Sequence, residues 1–408
     1  MNGHGGKSLQ QAMTASNHTS SAPGRKLRVF AVLEPSGWTQ DHIAGGLRAM
    51  GHEVLPFHQG GHVAKFYGGD ERSLRRQRNE ELLQTAREHL RNGGLDLIFC
   101  YVYDDFLEPE TARALSRLNV AMVNFNVDMA NQWYRQIRTA KYFTRMLCAQ
   151  RANMENLARY GARVFYFPMA SNPRTAAPTG LCPENRPASM DVSFVGTPTP
   201  FRSKALRALI ESGIQLSIYG KYWQENRVAL PERTIEKTIS DAWYYGLPRL
   251  RSEGASGVAT LLRERFGPSG RGERSPSLPT SCLRGFAADA DLSRIFSASR
   301  INLGFTRMAG DDKARNGFCQ VKLRDFEVPL AGGFYLVEKA PDHEALFELG
   351  KEIETWTTFG ELVEKTRYFL DHETERQAIA VAGQRRALRD HTWRARFETL
   401  FRELGIER

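Results

Sequence analysis

Arg324-Asp325-Phe326-Glu327, running into Val328-Pro329-Leu330-Ala331-Gly332-Gly333-Phe334, is the stretch of this sequence best suited to chemistry. A helix beginning near Lys322 and ending at a double glycine before a strand sets its N-terminal N–H groups and Arg324 at the edge of a sheet. A diphosphate binds in such a place. Glu327 stands one turn into that helix, where a carboxylate can accept both hydroxyls of a ribose. The same spacing also suits an ordinary surface pair between Arg324 and Glu327. A second segment, Phe194-Val195-Gly196-Thr197-Pro198, is a strand feeding a glycine turn, with Arg202 and Lys204 opening the next helix. Gly196 lets a backbone approach phosphate oxygens and Arg202 brings fixed charge, although many such turns need a glycine for geometry alone.

In the first half, Asn124-Phe125-Asn126-Val127-Asp128 ends an apolar strand in a carboxylate, at the sheet edge where open α/β folds place ligands. Asp128 suits a general base or a ligand to an acceptor sugar, and equally a cap on the helix that follows. Asp104 and Asp105 occupy an equivalent edge, with Asn124, His42 and Glu34 as further acceptor-side candidates. The sequence has no Gly-x-Ser-x-Gly, no phosphate-binding P-loop, no His-Glu-x-x-His, and no Gly-x-Gly-x-x-Gly after its first strand. Hydrolase, nucleotide triphosphatase, zinc protease and ordinary dehydrogenase chemistry are therefore set aside.

The elements that must position these residues alternate. Apolar strand-length runs at 27–33, 53–57, 95–101, 120–125 and 163–168 are separated by helix-compatible runs, which implies a parallel sheet covered on both faces. Four prolines between 172 and 190 mark a linker. Alternation resumes with strands near 191–195, 214–219, 300–304 and 334–337, giving two Rossmann-like parallel-sheet domains, 26–172 and 191–372, joined by the linker 173–190. Residues 1–25 read as a disordered tail. Residues 225–285 read as an insertion, either a lid or a solvated loop, and 373–408 as a C-terminal helix with Trp393, Phe397, Leu400, Phe401 and Leu404 at helical spacing. Such a helix can pack back across the first domain.

At 408 residues the chain has length for two cores, and 41% hydrophobic with 25% charged residues is ordinary for a globular protein. A net charge of +10 suits nucleic acid, an anionic membrane surface or anionic small ligands. Its arginines are spread along helices without aromatic partners, which argues against nucleic acid. The five cysteines show no metal-ligand spacing and no long apolar run or signal peptide is evident, so a cytoplasmic protein without structural zinc is expected.

Phe194-Val195-Gly196, Arg202, Ile218-Tyr219-Gly220 with Trp223, Ser299-Arg300-Ile301-Asn302-Leu303, Arg324-x-Phe326-Glu327, Gly332-Gly333-Phe334, Glu361-Leu362 and His391-Thr392-Trp393-x-x-Arg396 follow one another in an order with a known counterpart. This order resembles the CgeB-like (spore maturation protein) glycosyltransferases, which are similar to the group 1, GT4-like branch. The resemblance spans about 191–404 and is looser over 27–168. It implies a GT-B fold with a cleft between two domains and a nucleotide-diphosphate sugar donor held mainly by the C-terminal one. The acceptor, a glycan, protein or small molecule, would be held by the N-terminal domain, with no cofactor and no obligatory metal. Carried over by position, Glu327 is the ribose-binding glutamate and Arg202 the diphosphate-contacting base, while Arg324, Gly332 and Gly333 line the same pocket. Cys319 stands eight positions before Glu327, where the group 1 enzymes carry a first glutamate. The rival readings are a nucleotide-sugar epimerase of the same fold and a non-catalytic nucleotide-sugar-binding protein.

Overall fold

Alternation of buried strands with amphipathic helices is realised twice along the chain. The computed structural model describes residues 25–35, 37–58, 68–128, 132–152, 154–173, 189–223, 277–307 and 319–407, together with Leu250, Gly254, Ala255 and Ala259. The expected tail, the linker 173–190 and the insertion 225–285 lie almost wholly outside the described residues. Of the insertion, the last residues form a short strand given below.

The first half holds β1 (Arg28–Leu33), α1 (Gly45–Ala49), β2 (Glu53–His58), α2 (Gly68–Arg91), β3 (Leu97–Cys100), α3 (Pro109–Ser116), β4 (Ala121–Asn126), β5 (Arg145–Cys148), α4 (Met154–Arg159) and β6 (Val164–Tyr166). Its sheet runs β2-β1-β3-β4-β5-β6 and every pairing is parallel. The strands read as continuous apolar runs because both faces are covered. Phe30, Val32, Ile98, Cys100 and Met122 meet one buried layer, while Val29, Ala31, Leu33, Leu97, Phe99, Val123 and Phe125 meet the other. The helix expected after β1 is interrupted in kind: Thr39–Ala44 is wound as a π-helix before α1 continues it. The wider winding turns His42, Ile43 and Ala44 inward, and such single π turns often accompany functional sites.

The second half holds β7 (Met190–Val195), α5 (Pro200–Glu211), β8 (Leu216–Tyr219), β9 (Leu283–Gly285), α6 (Asp289–Ala298), β10 (Ser299–Gly304), α7 (Arg324–Leu330), β11 (Tyr335–Glu338), α8 (His343–Leu346), β12 (Glu354–Trp356), α9 (Phe359–Asp371), α10 (Glu373–Asp390) and α11 (Trp393–Leu404). The sheet order is β12-β11-β10-β7-β8-β9, again parallel throughout. β9, although it falls within the expected insertion, is therefore the edge strand of this sheet.

The single terminal helix expected within 373–408 is two helices. The chain breaks at His391-Thr392 because Ser171, leaving the first half, pairs there: its N–H donates to the His391 carbonyl (3.1 Å) and its carbonyl accepts the Trp393 N–H (3.2 Å). The Thr392 hydroxyl then caps α11 by accepting the Ala395 N–H (3.2 Å). α11 does pack back on the first half. Trp393 and Phe397 seat beside Gly46, whose missing Cβ would lie 3.0 and 3.2 Å from them. Arg396 Nε donates to the Pro168 carbonyl (3.0 Å), and Arg145 pairs with Glu403 (2.7 Å). One buried layer consequently runs from β1, β3 and β4 through α11 to Phe326, Tyr335 and Phe347 of the second half. Among the described residues, no helix is long and apolar enough to cross a membrane.

Candidate functional site

β10 ends at Gly304, and the backbone beyond it is pinned by Glu338 of β11, which accepts the Thr306 and Arg307 N–H groups (3.1 and 3.0 Å) and the Arg307 side chain (3.2 Å). Two carbonyls of this edge hold Lys322, whose Nζ donates to Phe305 O (2.9 Å) and Arg307 O (3.0 Å). Burial, reinforced by the neighbouring Arg202 charge, pushes the Lys322 ammonium down to about 8. Arg324 forms an ion pair with Glu327 in the first turn of α7. This is the pair that the sequence spacing suggests, but it is no ordinary surface pair: Glu327 is only 8% exposed.

Glu327 is covered from the opposite half. His42 Nε2 lies 3.6 Å from Glu327 Oε1, so a residue that the sequence groups with the acceptor side faces one that it groups with the donor side. Burial pushes the His42 imidazole below its ordinary value, against the opposing pull of Glu327 and Asp41. His42 Nδ1 is buried without a hydrogen-bond partner. The Glu327 carboxylate thus sits between an arginine and an imidazole at the junction of the halves.

The glycines serve packing. Gly196 N–H donates to Tyr219 O (2.9 Å) and Gly196 O accepts Trp223 Nε1 (2.7 Å), so its backbone groups belong to the sheet and to Trp223. A Cβ there would lie 2.7 Å from the Phe194 ring. Arg202 reaches back from α5, donating to Thr197 O (2.8 Å) above the Phe194 ring, and its charge falls on both Lys322 and Tyr335. Lys204 is exposed on α5. Gly332, with φ at 75°, and Gly333 stand buried at the far end of α7 from Arg324. A Cβ on Gly333 would lie 2.6 Å from Asn302 Nδ2, so this double glycine lets α7 close against β10 and α6.

In the first half, Asp128 reaches across. Its Oδ1 accepts Gln320 Nε2 (3.2 Å) from the second half and its Oδ2 accepts Gln132 Nε2 (3.2 Å). The other carboxylates are tied into the scaffold. Asp104, 7% exposed, accepts the Arg138 N–H (2.9 Å), the Thr139 N–H (3.2 Å) and the Thr139 hydroxyl (2.7 Å). Burial nonetheless pushes it up to about 7. Asp105 pairs with Arg135, and the Asn124 amide bridges the Val102 N–H and carbonyl (3.0 and 2.9 Å) inside the core.

Sequence reasoning passed over the aromatic neighbours of Asp128. Trp38 packs edge-on to Tyr101 (5.4 Å) and Phe125 (6.3 Å), Tyr101 lies against Tyr103 (5.9 Å), and Arg135 sits over Tyr103 (4.1 Å). Burial pushes Tyr101 up to about 12, and Asp128 and Glu34 add to it. The crossings that hold the halves together were also missed: Gln150 Nε2 donates to Val321 O (3.2 Å) and the Arg151 N–H to Asp342 (3.0 Å). They have no motif, since each pairs residues about 170 or more positions apart.

Residues 263–402, which include Lys322, Arg324, Glu327 and most of α11, match a family model described as glycosyl transferase-like. Among solved structures, the sucrose-phosphate synthase of Thermosynechococcus elongatus superimposes with a TM-score of 0.54 at 12% identity, over 93% of this chain and 99% of that one. Anabaena HepE in complex with UDP-glucose gives 0.53 at 12% identity over 93% and 99%, and a Rickettsia africae glycosyltransferase 0.54 at 9% over 93% and 97%. These likenesses, with the two six-stranded parallel sheets, make the fold GT-B. No curated protein sequence matches the chain.

Proposed function

We propose that this chain is a glycosyltransferase that moves a sugar from a nucleotide-diphosphate donor to an acceptor hydroxyl without a metal ion, in the manner of the CgeB-like enzymes. The observation that carries the reading is Glu327, held between Arg324 and His42 at the junction of the halves, beside Lys322 and Arg202. In this reading Glu327 accepts the ribose hydroxyls. Bond cleavage at the anomeric carbon builds positive charge on the sugar and negative charge on the departing diphosphate. Arg202, Lys322 and Arg324 then do what a metal does elsewhere, stabilising that negative charge in a site prearranged for it. Lys204 approaches the same anion from α5, Gly196 shapes the turn whose Thr197 carbonyl holds Arg202, and Gly332 and Gly333 support α7 from behind.

Residues 26–172 hold the acceptor. Asp128, facing the second half through Gln320, takes the proton of the attacking hydroxyl if the anomeric configuration is inverted. The HepE neighbour is complexed with UDP-glucose, which makes uridine diphosphates the first ligands to try. The absence of paired-cysteine spacing supports a cytoplasmic setting.

The test is thermal unfolding with a panel of nucleotide diphosphates and nucleotide sugars, alongside Glu327→Ala and Arg202→Ala. A ligand at a hundred times its dissociation constant adds about 2.7 kcal/mol to the wild type. Stabilisation that both substitutions abolish supports the reading. A folded wild type that no nucleotide stabilises overturns it.

A further inference from the structure

Behind the rim of α7 lies an ionisable pair that the reading above does not use. Asp325 is 1% and His343 0% exposed. The Ala340 N–H donates to His343 Nδ1 (3.1 Å), so the ring proton sits on Nε2, which donates to Asp325 Oδ1 (2.5 Å). Asp325 Oδ2 accepts the Lys322 N–H (2.9 Å). Leu323, ahead of α7, offers no side-chain cap, and Asp325 in the first turn reaches back three residues to hold the Lys322 N–H instead. Lys322 is thereby held at both ends, its N–H by Asp325 and its ammonium by the carbonyls of Phe305 and Arg307.

We infer that Asp325 and His343 are positioning residues that fix Lys322 and the first turn of α7 for the anionic part of the ligand, a role that rests on the donor reading above. Stability alone is a poor reason for such a pair. A buried carboxylate and imidazole are costly to desolvate, and an apolar pair of equal volume would fill the space as well. What an apolar pair lacks is the acceptor for the Lys322 N–H and the negative charge beside the ammonium. The charged and titratable groups facing Lys322 are Arg202, Asp325, Glu338 and Cys319; Arg202 disfavours its protonation, and the other three favour it. Asp325 offsets Arg202 from the helix's own first turn. His343 acts one step removed, by holding the Asp325 carboxylate in the orientation that meets the Lys322 N–H.

The test uses the full chain, first without ligand. Amine labelling of Lys322 across pH, read by peptide mass spectrometry, is compared in the wild type, Asp325→Asn and His343→Gln, with Lys365 as an internal reference. Asp325→Asn is expected to lower the Lys322 midpoint by at least about half a pH unit, roughly a threefold faster labelling at pH 7. His343→Gln moves it the same way by less, and Lys365 stays where it was. An unmoved Lys322 in both variants overturns the inference, and either variant alone suffices should the other fail to fold. UDP affinity supplies the second arm. If Asp325 works through Lys322, then Asp325→Asn weakens UDP severalfold alone but by under twofold in a Lys322→Met background. Losses that multiply independently overturn the inference. If the wild type binds no nucleotide, the donor reading falls, and the labelling arm alone decides whether the pair positions Lys322.

Discussion

Gly220→Ala should damage this protein far more than Gly213→Ala, although both glycines have positive φ, 149° and 83°. Gly213 follows α5 in open space, with nothing within 4 Å of where a Cβ would stand, so an alanine there bears only the left-handed backbone cost of about 1–2 kcal/mol. At Gly220 the same methyl would overlap the carbonyl oxygen of Gly196 and lie 2.8 Å from its carbon and 3.0 Å from Trp223 Nε1. The two Gly196 atoms are backbone just past the end of β7, with little room to give. Separating them endangers the Gly196 N–H to Tyr219 O bond (2.9 Å) and the Trp223 to Gly196 O bond (2.7 Å). Each of these half-buried bonds contributes about 0.5–1.5 kcal/mol, so losing both should cost Gly220→Ala roughly 1–3 kcal/mol beyond the Gly213 variant. Urea unfolding followed by tryptophan fluorescence and circular dichroism reads the difference as a shift in midpoint. Equal losses in the two variants would refute the close-approach argument. Because the Gly196-Thr197 turn carries the backbone acceptor for Arg202, nucleotide affinity should fall in Gly220→Ala and hold in Gly213→Ala.

Phe397→Ala should cost about 3–5 kcal/mol, because this fully buried ring meets Phe99 (6.0 Å) and Phe167 (6.4 Å) of the first half. Calorimetry showing under about 1 kcal/mol would mean that α11 does not brace the two halves. Acid should attack the break between α10 and α11. His391 donates from Nε2 to Leu346 O (2.8 Å) and accepts Arg396 at Nδ1 (2.9 Å), so burial and the arginine push it down to about 3. A histidine so depressed stabilises the fold above its unfolded value near 6.5 and loses that contribution as pH falls from there toward about 3. The loss is on the order of several kcal/mol. Replacing His391 with Gln should flatten the stability profile across that window, and an unchanged acid limb would refute the assignment.

Much of the architecture was legible because burial leaves a periodic trace. Strands covered on both faces, such as Leu97–Cys100, must be apolar throughout, and the punctuating glycines and prolines mark where they end. Glu327 and Arg324 were legible for a related reason: three positions apart on a helix they share a face, and local spacing is enough to predict the pair. The break at His391-Thr392 was not. Helical spacing continues across it, and only Ser171, distant in sequence, supplies the backbone partner that stops α10. β9 was missed because a three-residue edge strand has too few positions to show a period.

By itself the sequence determined two parallel-sheet halves, a cationic helix start before a glutamate, and a carboxylate ending a first-half strand. Those features are local, set by neighbours within a turn or a strand. Tertiary structure alone decided which of them meet. His42 turned from the acceptor group to face Glu327, Asp104 and Asp105 went to the scaffold while Asp128 reached Gln320, and Asp325 found His343. Their partners come from other strands and helices, brought close by folding, and no residue spacing encodes a contact that depends on how two sheets are set against each other.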